Sequence, residues 1–172
     1  MKKVLLIEDN PDVRENTAEI LELANFNVIT AENGKIGVDK AMKDNPDLII
    51  CDIMMPELDG YGVLHILSKN RNTSKIPFIF LTAKTEKIDF RKGMNMGADD
   101  YLTKPFEDTE LLDAIESRLK KREITNTDYA QSYQGINEFI TDARAIAKLE
   151  DLSNERKKRV YQKKTEVLRK GD

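Results

Sequence analysis

Residues 47–60 read DLIICDIMMPELDG, and this stretch decides the fold. It opens with four consecutive apolar residues, 48–51, which is typical of a strand buried on both faces of a parallel sheet. Asp52 follows directly, where the chain is expected to leave the sheet. Pro56 and the Gly60 turn then predict a break before the next helix. Because open α/β sheets bind ligands outside the carboxyl ends of their strands, Asp52 is the first candidate for a reacting residue.

Further strand and helix patterns alternate on either side of this strand. The predicted strands occupy residues 4–7, 26–30, 48–51, 78–81 and 100–103. Apolar residues at helical spacing predict helices at about 11–24, 36–42, 57–69, 85–96 and 107–119. This alternation indicates an α/β fold with a parallel sheet, right-handed crossovers and helices on both faces. The second and fifth strands are shorter and more polar, as edge strands should be, which predicts a doubly wound five-stranded sheet in the order 2-1-3-4-5.

Composition limits the class of protein. Of the 172 residues 40% are hydrophobic, which is enough for a core, and no apolar run approaches the roughly 20 residues of a membrane span. The single cysteine, Cys51, excludes a disulfide within the chain and favours a cytoplasmic location, and the N-terminus does not read as a signal peptide. Residues 1–121 carry 17 basic and 22 acidic side chains, so nucleic-acid binding by this part alone is not expected.

Charged and polar side chains follow four of the predicted strands. Glu8 and Asp9 follow the first strand, and Asp52 follows the third; Thr82 and Lys104 end the fourth and fifth. Each alone would be an ordinary helix cap or surface residue, but the predicted strand order brings them to one crevice. Clustered carboxylates need protonation or a cation, and hard oxygen ligands suit Mg²⁺. An aspartate nucleophile beside a metal ion and a lysine indicates a phosphoryl-transfer site.

Taken in order, these motifs resemble the receiver domain of two-component response regulators over residues 1–121. The matching segments are Glu8-Asp9, Asp52 with the following MMPELDG, Thr82-Ala83, and GADDYLTKPF at 97–106. The resemblance implies the flavodoxin-like fold of chemotaxis-type receivers. It also implies that Asp52 accepts a phosphoryl group from a sensor histidine kinase or a phosphotransfer protein. Such a domain is not an enzyme beyond its own phosphorylation and dephosphorylation.

The resemblance further implies a magnesium site. Asp9 and Asp52 would bind the ion together with the backbone carbonyl of Met54, and Glu8 would act largely through water.

The same resemblance implies a switch. Lys104 would pair with the phosphoryl group, and the Lys104-Pro105 peptide bond would be cis. Thr82 and Tyr101 would form the switch pair, in which the hydroxyl moves to a phosphoryl oxygen and the ring turns inward. The added charge of about 1.5 to 2 units would then bias the helix at 85–96 and the surface around the fourth and fifth strands.

Residues 122–172 are predicted to form a mostly helical extension. An apolar stripe at 136–149 must be covered by the receiver, by another subunit or by a further domain, and residues 154–170 are basic without a recognition-helix pattern. The last residues weakly resemble the first strand of a cyclic-nucleotide-receptor type effector domain. That resemblance implies an output region that is truncated in this chain. Only this output region would bind DNA and so control transcription. The alternative is a stand-alone receiver with a dimerising tail that acts through protein–protein contacts, and neither alternative involves a membrane.

Two other classes share parts of this pattern. A phosphatase of the haloacid-dehalogenase type also uses an aspartate after a strand, but it needs a second carboxylate two residues later, where this chain has Met54. A flavodoxin-like nucleotide binder needs backbone donors in its first loop. Residues 8–12 offer carboxylates and a proline instead, which would repel phosphate without a metal ion.

Overall fold

The computed structural model describes residues 1–83 and 90–125, together with five isolated residues between 144 and 155. The chain divides into two compact units, Met1–Glu123 and Ile124–Asp172. The predicted apolar stripe and basic run of the second unit lie outside the described residues, apart from those isolated positions. Among the described residues, no helix combines the length and the apolar character that a bilayer crossing requires.

The first unit alternates strands and helices along the chain. The strands are β1 (Lys3–Ile7), β2 (Asn27–Ala31), β3 (Leu48–Asp52), β4 (Phe78–Ala83) and β5 (Asp100–Lys104). The helices are α1 (Pro11–Leu23), α2 (Gly34–Asp44), α3 (Gly60–Lys69) and α4 (Phe90–Asn95). Residues 108–125 are also helical and are called α5 here.

All neighbouring strands are parallel, and the sheet has the predicted order β2-β1-β3-β4-β5. The register aligns the carboxyl ends of β3, β4 and β5, three of the four strands that carry the candidate site. Asp52 lies opposite Leu81, and Ala83 lies opposite Lys104. The residues that follow β1 and β3 therefore meet the ends of β4 and β5 at one edge of the sheet.

The core consists of two apolar layers, one on each face of the sheet, because successive strand residues point to opposite faces. One layer contains Leu5, Ile7, Ile49, Cys51, Phe78 and Phe80, with residues of α2 and α3. The other contains Val4, Leu6, Leu48, Ile50, Ile79 and Leu81, with residues of α1 and α5. This double burial is the physical reason for the continuous apolar runs in the sequence.

Three predictions about the elements need correction or remain partly open. The edge strands β2 and β5 are less buried than the others, as predicted, but each has five residues, as β1 and β3 do, so the prediction that they are shorter was wrong. The third helix begins at Gly60 and not at residue 57. Of the helix predicted at 85–96, only α4 lies within the described residues.

The late start of α3 has a local cause. The Asp59 side chain accepts a hydrogen bond from the Gly62 N–H (2.7 Å) and caps the helix. Glu57 has a φ of 67°, a left-handed conformation that interrupts a helix, and the Gly60 N–H donates to the Ile53 carbonyl (2.9 Å). The seven residues after Asp52 therefore form a tight loop over the end of β3.

Candidate functional site

Three carboxylates converge at the carboxyl edge of the sheet. Glu8 and Asp9 follow β1, Asp52 ends β3, and each offers one oxygen within 4.8 Å of the other two. Glu8 and Asp52 are buried, at 1% and 3% exposure, whereas Asp9 is the more accessible. Such a set of hard oxygen ligands, with one member open to solvent, suits a small divalent cation.

Lys104 reaches the same cluster from the end of β5. Its Nζ lies 2.9 Å from Glu8 Oε2 and 3.2 Å from Asp52 Oδ1. Burial disfavours the charged amine, but the hydrogen bond to Glu8 and the charge of Asp52 outweigh burial and raise the pKa of Lys104. The Lys104-Pro105 peptide bond is cis, as the resemblance implied.

Asp52 is the carboxylate whose charge this environment disfavours most clearly. Burial first, and the neighbouring charge of Glu8 second, raise the pKa of Asp52 to about 6, although Lys104 opposes the shift. Among the described residues, Asp52 Oδ1 has no hydrogen-bond partner with good geometry, even though Lys104 Nζ lies at ion-pair distance. A buried carboxylate oxygen without a well-aligned donor is suited to a cation or to a reaction partner.

Glu8 differs from Asp52 because both of its carboxylate oxygens accept hydrogen bonds. Oε1 accepts from the Asn10 N–H (3.1 Å), and Oε2 accepts from Lys104. Direct binding of a metal ion by Glu8 would compete with these bonds. The role of Glu8 toward a metal ion, expected to be through water, stays a prediction.

Arg14 is a site residue that the sequence interpretation missed. From the first turns of α1, its guanidinium donates to the backbone carbonyls of Glu8 (2.8 Å) and Asp9 (3.3 Å). It thereby holds the acidic loop against the helix. The only signal in the sequence is a basic residue one and a half turns after the acidic pair, which is too common on helices to be distinctive.

A cavity of about 450 Å³ opens beside the acidic cluster. Its lining includes Asp9, Arg14, Glu32, Asn33 and Glu57, contributed by α1 and by the loops after β1, β2 and β3. The cavity makes Asp9 approachable from solvent. It is large enough for the end of a side chain or a small phosphorylated molecule.

The remaining predicted residues lie around this centre. Met54 is in the loop after β3, and the residue is 62% exposed. Thr82 is fully buried near the end of β4. Tyr101, on β5, is not in the acidic cluster: its ring packs against Phe80, with the ring centroids 5.2 Å apart.

The described fold thus combines a parallel sheet in the order β2-β1-β3-β4-β5 with an acidic pair, an aspartate, a hydroxyl and a lysine at one edge, the arrangement expected of a receiver-type signalling domain. The family model described as the response regulator receiver domain matches residues 4–116. The chain belongs to the response regulator receiver domain family. Domains of this family are signalling modules that interact with histidine kinases.

Individual relatives agree with this assignment. The transcriptional regulatory protein CpxR of Escherichia coli K12 is 40% identical over 121 residues, which are 70% of this chain and 50% of CpxR. The DNA-binding dual master transcriptional regulator RpaA of Synechocystis sp. is 37% identical over 121 residues, again 70% of this chain and 50% of the relative. The chain thus spans about half the length of the curated relatives it matches.

A solved structure supports the fold. The receiver domain of the sensor histidine kinase PA1611 from Pseudomonas aeruginosa PAO1 is 29% identical and superimposes with a TM-score of 0.65, covering 69% of this chain and 98% of that one. That structure has a magnesium ion coordinated in its active site cleft. The family match favours a receiver over the phosphatase and nucleotide-binding alternatives. The C-terminal resemblance to a cyclic-nucleotide-receptor type effector domain has no support in these comparisons.

Proposed function

We propose that Asp52 accepts the phosphoryl group in a two-component phosphorelay. The observation that carries this proposal is the buried Asp52 Oδ1, which lacks a well-aligned donor and lies 3.2 Å from Lys104 Nζ. In the reaction, the carboxylate oxygen forms a bond to phosphorus as the bond between phosphorus and the donor imidazole nitrogen breaks. The product is an acyl phosphate, and the histidine of the kinase or phosphotransfer protein is released. The receiver contributes only this transfer and its reversal by water, so we do not propose a separate enzymatic activity.

The residues present fit a magnesium ion. Asp9 and Asp52 supply carboxylate oxygens, Met54 would add its backbone carbonyl, and Glu8 would act through water. When bound, Mg²⁺ neutralises charge on the phosphoryl oxygens. The magnesium ion in the PA1611 receiver supports this choice of metal.

Lys104 has a separate role in the proposed transfer. Its ammonium already bridges Glu8 and Asp52, so it lies where phosphoryl oxygens would replace part of its present ion pairing. Thr82 would donate its hydroxyl to another phosphoryl oxygen, and Tyr101 would report that movement to the surface of α4 and β5. A nearly complete conversion between two states would require about 5 kcal/mol of differential stabilisation.

We further propose that the phosphorylated receiver controls transcription through an output region. The names of CpxR and RpaA, and the fact that this chain spans only half of them, support this proposal. DNA would be bound by the output region and not by residues 1–121, which have an acidic balance. Dimerisation, a cytoplasmic location and the division into a receiver and an extension are parts of the same proposal. A stand-alone receiver acting through protein contacts is the alternative.

The central proposal is tested by Asp52→Asn. Incubation with acetyl phosphate and Mg²⁺ should add one phosphoryl group to the wild-type chain and none to the variant, as measured by intact-protein mass spectrometry. Asp39→Asn, at an exposed position on α2, is the matched control and should be labelled like the wild type. Full labelling of the Asp52 variant would refute the assignment.

A further inference from the structure

We propose that Gly93 is a positioning residue for the Tyr101 ring, an inference that rests on the switch role proposed for Tyr101. Gly93 is buried in α4. A Cβ atom placed on it would overlap the Tyr101 hydroxyl oxygen and would lie 2.8 Å from the ring carbon that carries this oxygen. The same atom would be 3.2 Å from Phe80 Cε2. The position that the Tyr101 ring occupies therefore exists only because residue 93 has no side chain.

If residue 93 had a side chain, the ring and not the helix would have to move. The Gly93 carbonyl accepts hydrogen bonds from the N–H groups of Ala98 (3.0 Å) and Met96 (3.2 Å), which fix the end of α4 to the turn that follows. The preceding residue, Lys92, holds its Nζ 4.8 Å above the Tyr61 ring and ties α4 to α3. The Tyr101 ring can change its position by rotation about side-chain bonds, without a shift of the backbone.

Gly93 thus decides whether the proposed switch ring can pack inward. Glycine destabilises the interior of a helix relative to alanine, so its presence in α4 has a local cost to the helix. In return, the absence of a side chain at position 93 lets the Tyr101 ring pack against Phe80. With alanine at position 93, the ring would be displaced toward solvent, and the surface of α4 and β5 would lose its phosphorylation-dependent change.

A double-mutant cycle on thermal stability tests the contact directly. Gly93→Ala should lower the Tm of the wild-type chain by about 4 °C, because the ring is displaced. In a Tyr101→Ala background, Gly93→Ala should raise the Tm by about 2 °C, because the clash is gone and alanine favours the helix. Tyr101→Leu is the second background if Tyr101→Ala does not fold. Asn95→Ala, at an exposed position of the same helix, should have the same small effect in both backgrounds. A change of the same sign in both backgrounds would overturn the inference.

A spectroscopic measurement distinguishes positioning from mere packing. Fluorotyrosine NMR should show one Tyr101 resonance that shifts when beryllofluoride and Mg²⁺ are added to the wild-type chain. In Gly93→Ala that resonance should lie at its solvent-exposed value and should not respond, although acetyl phosphate still labels Asp52 to within about threefold of the wild type. A normal Tyr101 response in Gly93→Ala would contradict the positioning role. If the wild-type chain is not labelled at all, the proposed function fails, whereas the thermal cycle still decides the role of Gly93.

Discussion

At the scale of single residues, the carboxylate of Asp52 is held where two effects oppose its charge. Burial removes water from it, and Glu8 places a second negative charge nearby. Lys104 offsets both effects only in part, so the pKa stays near 6. A group that is charged at neutral pH only at some cost gains more from a bound cation than an exposed carboxylate would.

This raised pKa predicts a pH dependence of stability. Without metal, the folded chain keeps a proton on Asp52 between about pH 4 and 6, whereas the unfolded chain has released it. The contribution of this group to the free energy of unfolding therefore falls as the pH rises through that window. The Asp52→Asn chain has no carboxyl group that titrates at this position. The free energy of unfolding of the variant minus that of the wild type should therefore increase by on the order of 2 kcal/mol from pH 4 to pH 7.

Urea unfolding of both chains at several pH values, with EDTA present, measures this difference. A stability difference that is independent of pH would show that Asp52 titrates as an ordinary exposed aspartate. Asp39→Asn serves again as the control, because it also removes one carboxylate, but from an exposed position.

Binding of Mg²⁺ should offset the unfavourable interaction between the carboxylates of Asp9 and Asp52 and so stabilise the folded chain. An ion that binds only the folded state stabilises it by about 1.4 kcal/mol at ten times its Kd. Mg²⁺ should therefore raise the Tm of the wild-type chain, and Asp9→Asn should abolish that rise. Differential scanning calorimetry with a Mg²⁺ titration gives the measurement, and K⁺ at equal ionic strength is the control. An equal rise in the Asp9 variant would place the ion elsewhere.

At the scale of elements, the helix termini hold the loops of the site in place. Asn10 caps α1 by accepting from the Asp12 N–H (3.0 Å) and the Val13 N–H (3.2 Å). Its own N–H donates to Glu8, and Arg14 of the same helix holds the two carbonyls of the acidic pair. The start of α1 and the acidic loop are therefore one hydrogen-bonded unit.

Removing this cap should destabilise both the helix and the site. Asn10→Ala should lower the free energy of unfolding by about 1 kcal/mol, because two helix N–H groups lose their acceptor. It should also weaken Mg²⁺ binding, because the acidic pair becomes less ordered. Urea unfolding and calorimetric Mg²⁺ titration measure the two effects. Asn72→Ala, at an exposed loop position, should change stability by less than about 0.5 kcal/mol.

At the scale of the whole receiver unit, a hydrogen bond and an ion pair tie α5 to the edge of the sheet opposite the acidic site. Arg122 donates to the Asp47 carbonyl (2.6 Å), and Glu123 pairs with Lys2 at 2.8 Å. Asp47 also accepts from the Lys3 N–H (2.8 Å). These contacts lie at the amino ends of β1 and β3, and they extend beyond residue 116, where the family match stops.

We therefore expect the receiver to end after Glu123 and not at residue 121. A fragment of residues 1–123 should unfold cooperatively, and a fragment of residues 1–120 should have a Tm lower by several degrees, because it lacks both contacts. Arg122→Ala in the longer fragment should account for most of the loss. Circular dichroism on heating gives the three midpoints. Equal midpoints would mean that these contacts contribute nothing to the stability of the unit.

The sequence by itself determined the order of the strands and helices of the receiver, and it predicted which side chains meet at the candidate site. The apolar runs of β1, β3 and β4 predicted central strands, because a strand buried on both faces cannot alternate with polar residues. The order of the strands then predicted which loops would meet, and with them Glu8, Asp9, Asp52 and Lys104.

Only the tertiary structure decided which hydrogen bonds and packing contacts these residues make. Lys104 reaches Glu8 across 96 positions of the chain, a distance that only the packed sheet sets. The bonds from Asn10 and Arg14 to the acidic loop, and the packing of Tyr101 against Gly93, join residues that are close in sequence, but they depend on the exact backbone path and side-chain rotamers. Local patterns do not encode such distances. The start of α3 was missed for a related reason, because a left-handed residue and a side-chain cap can replace a helical turn without altering the apolar periodicity.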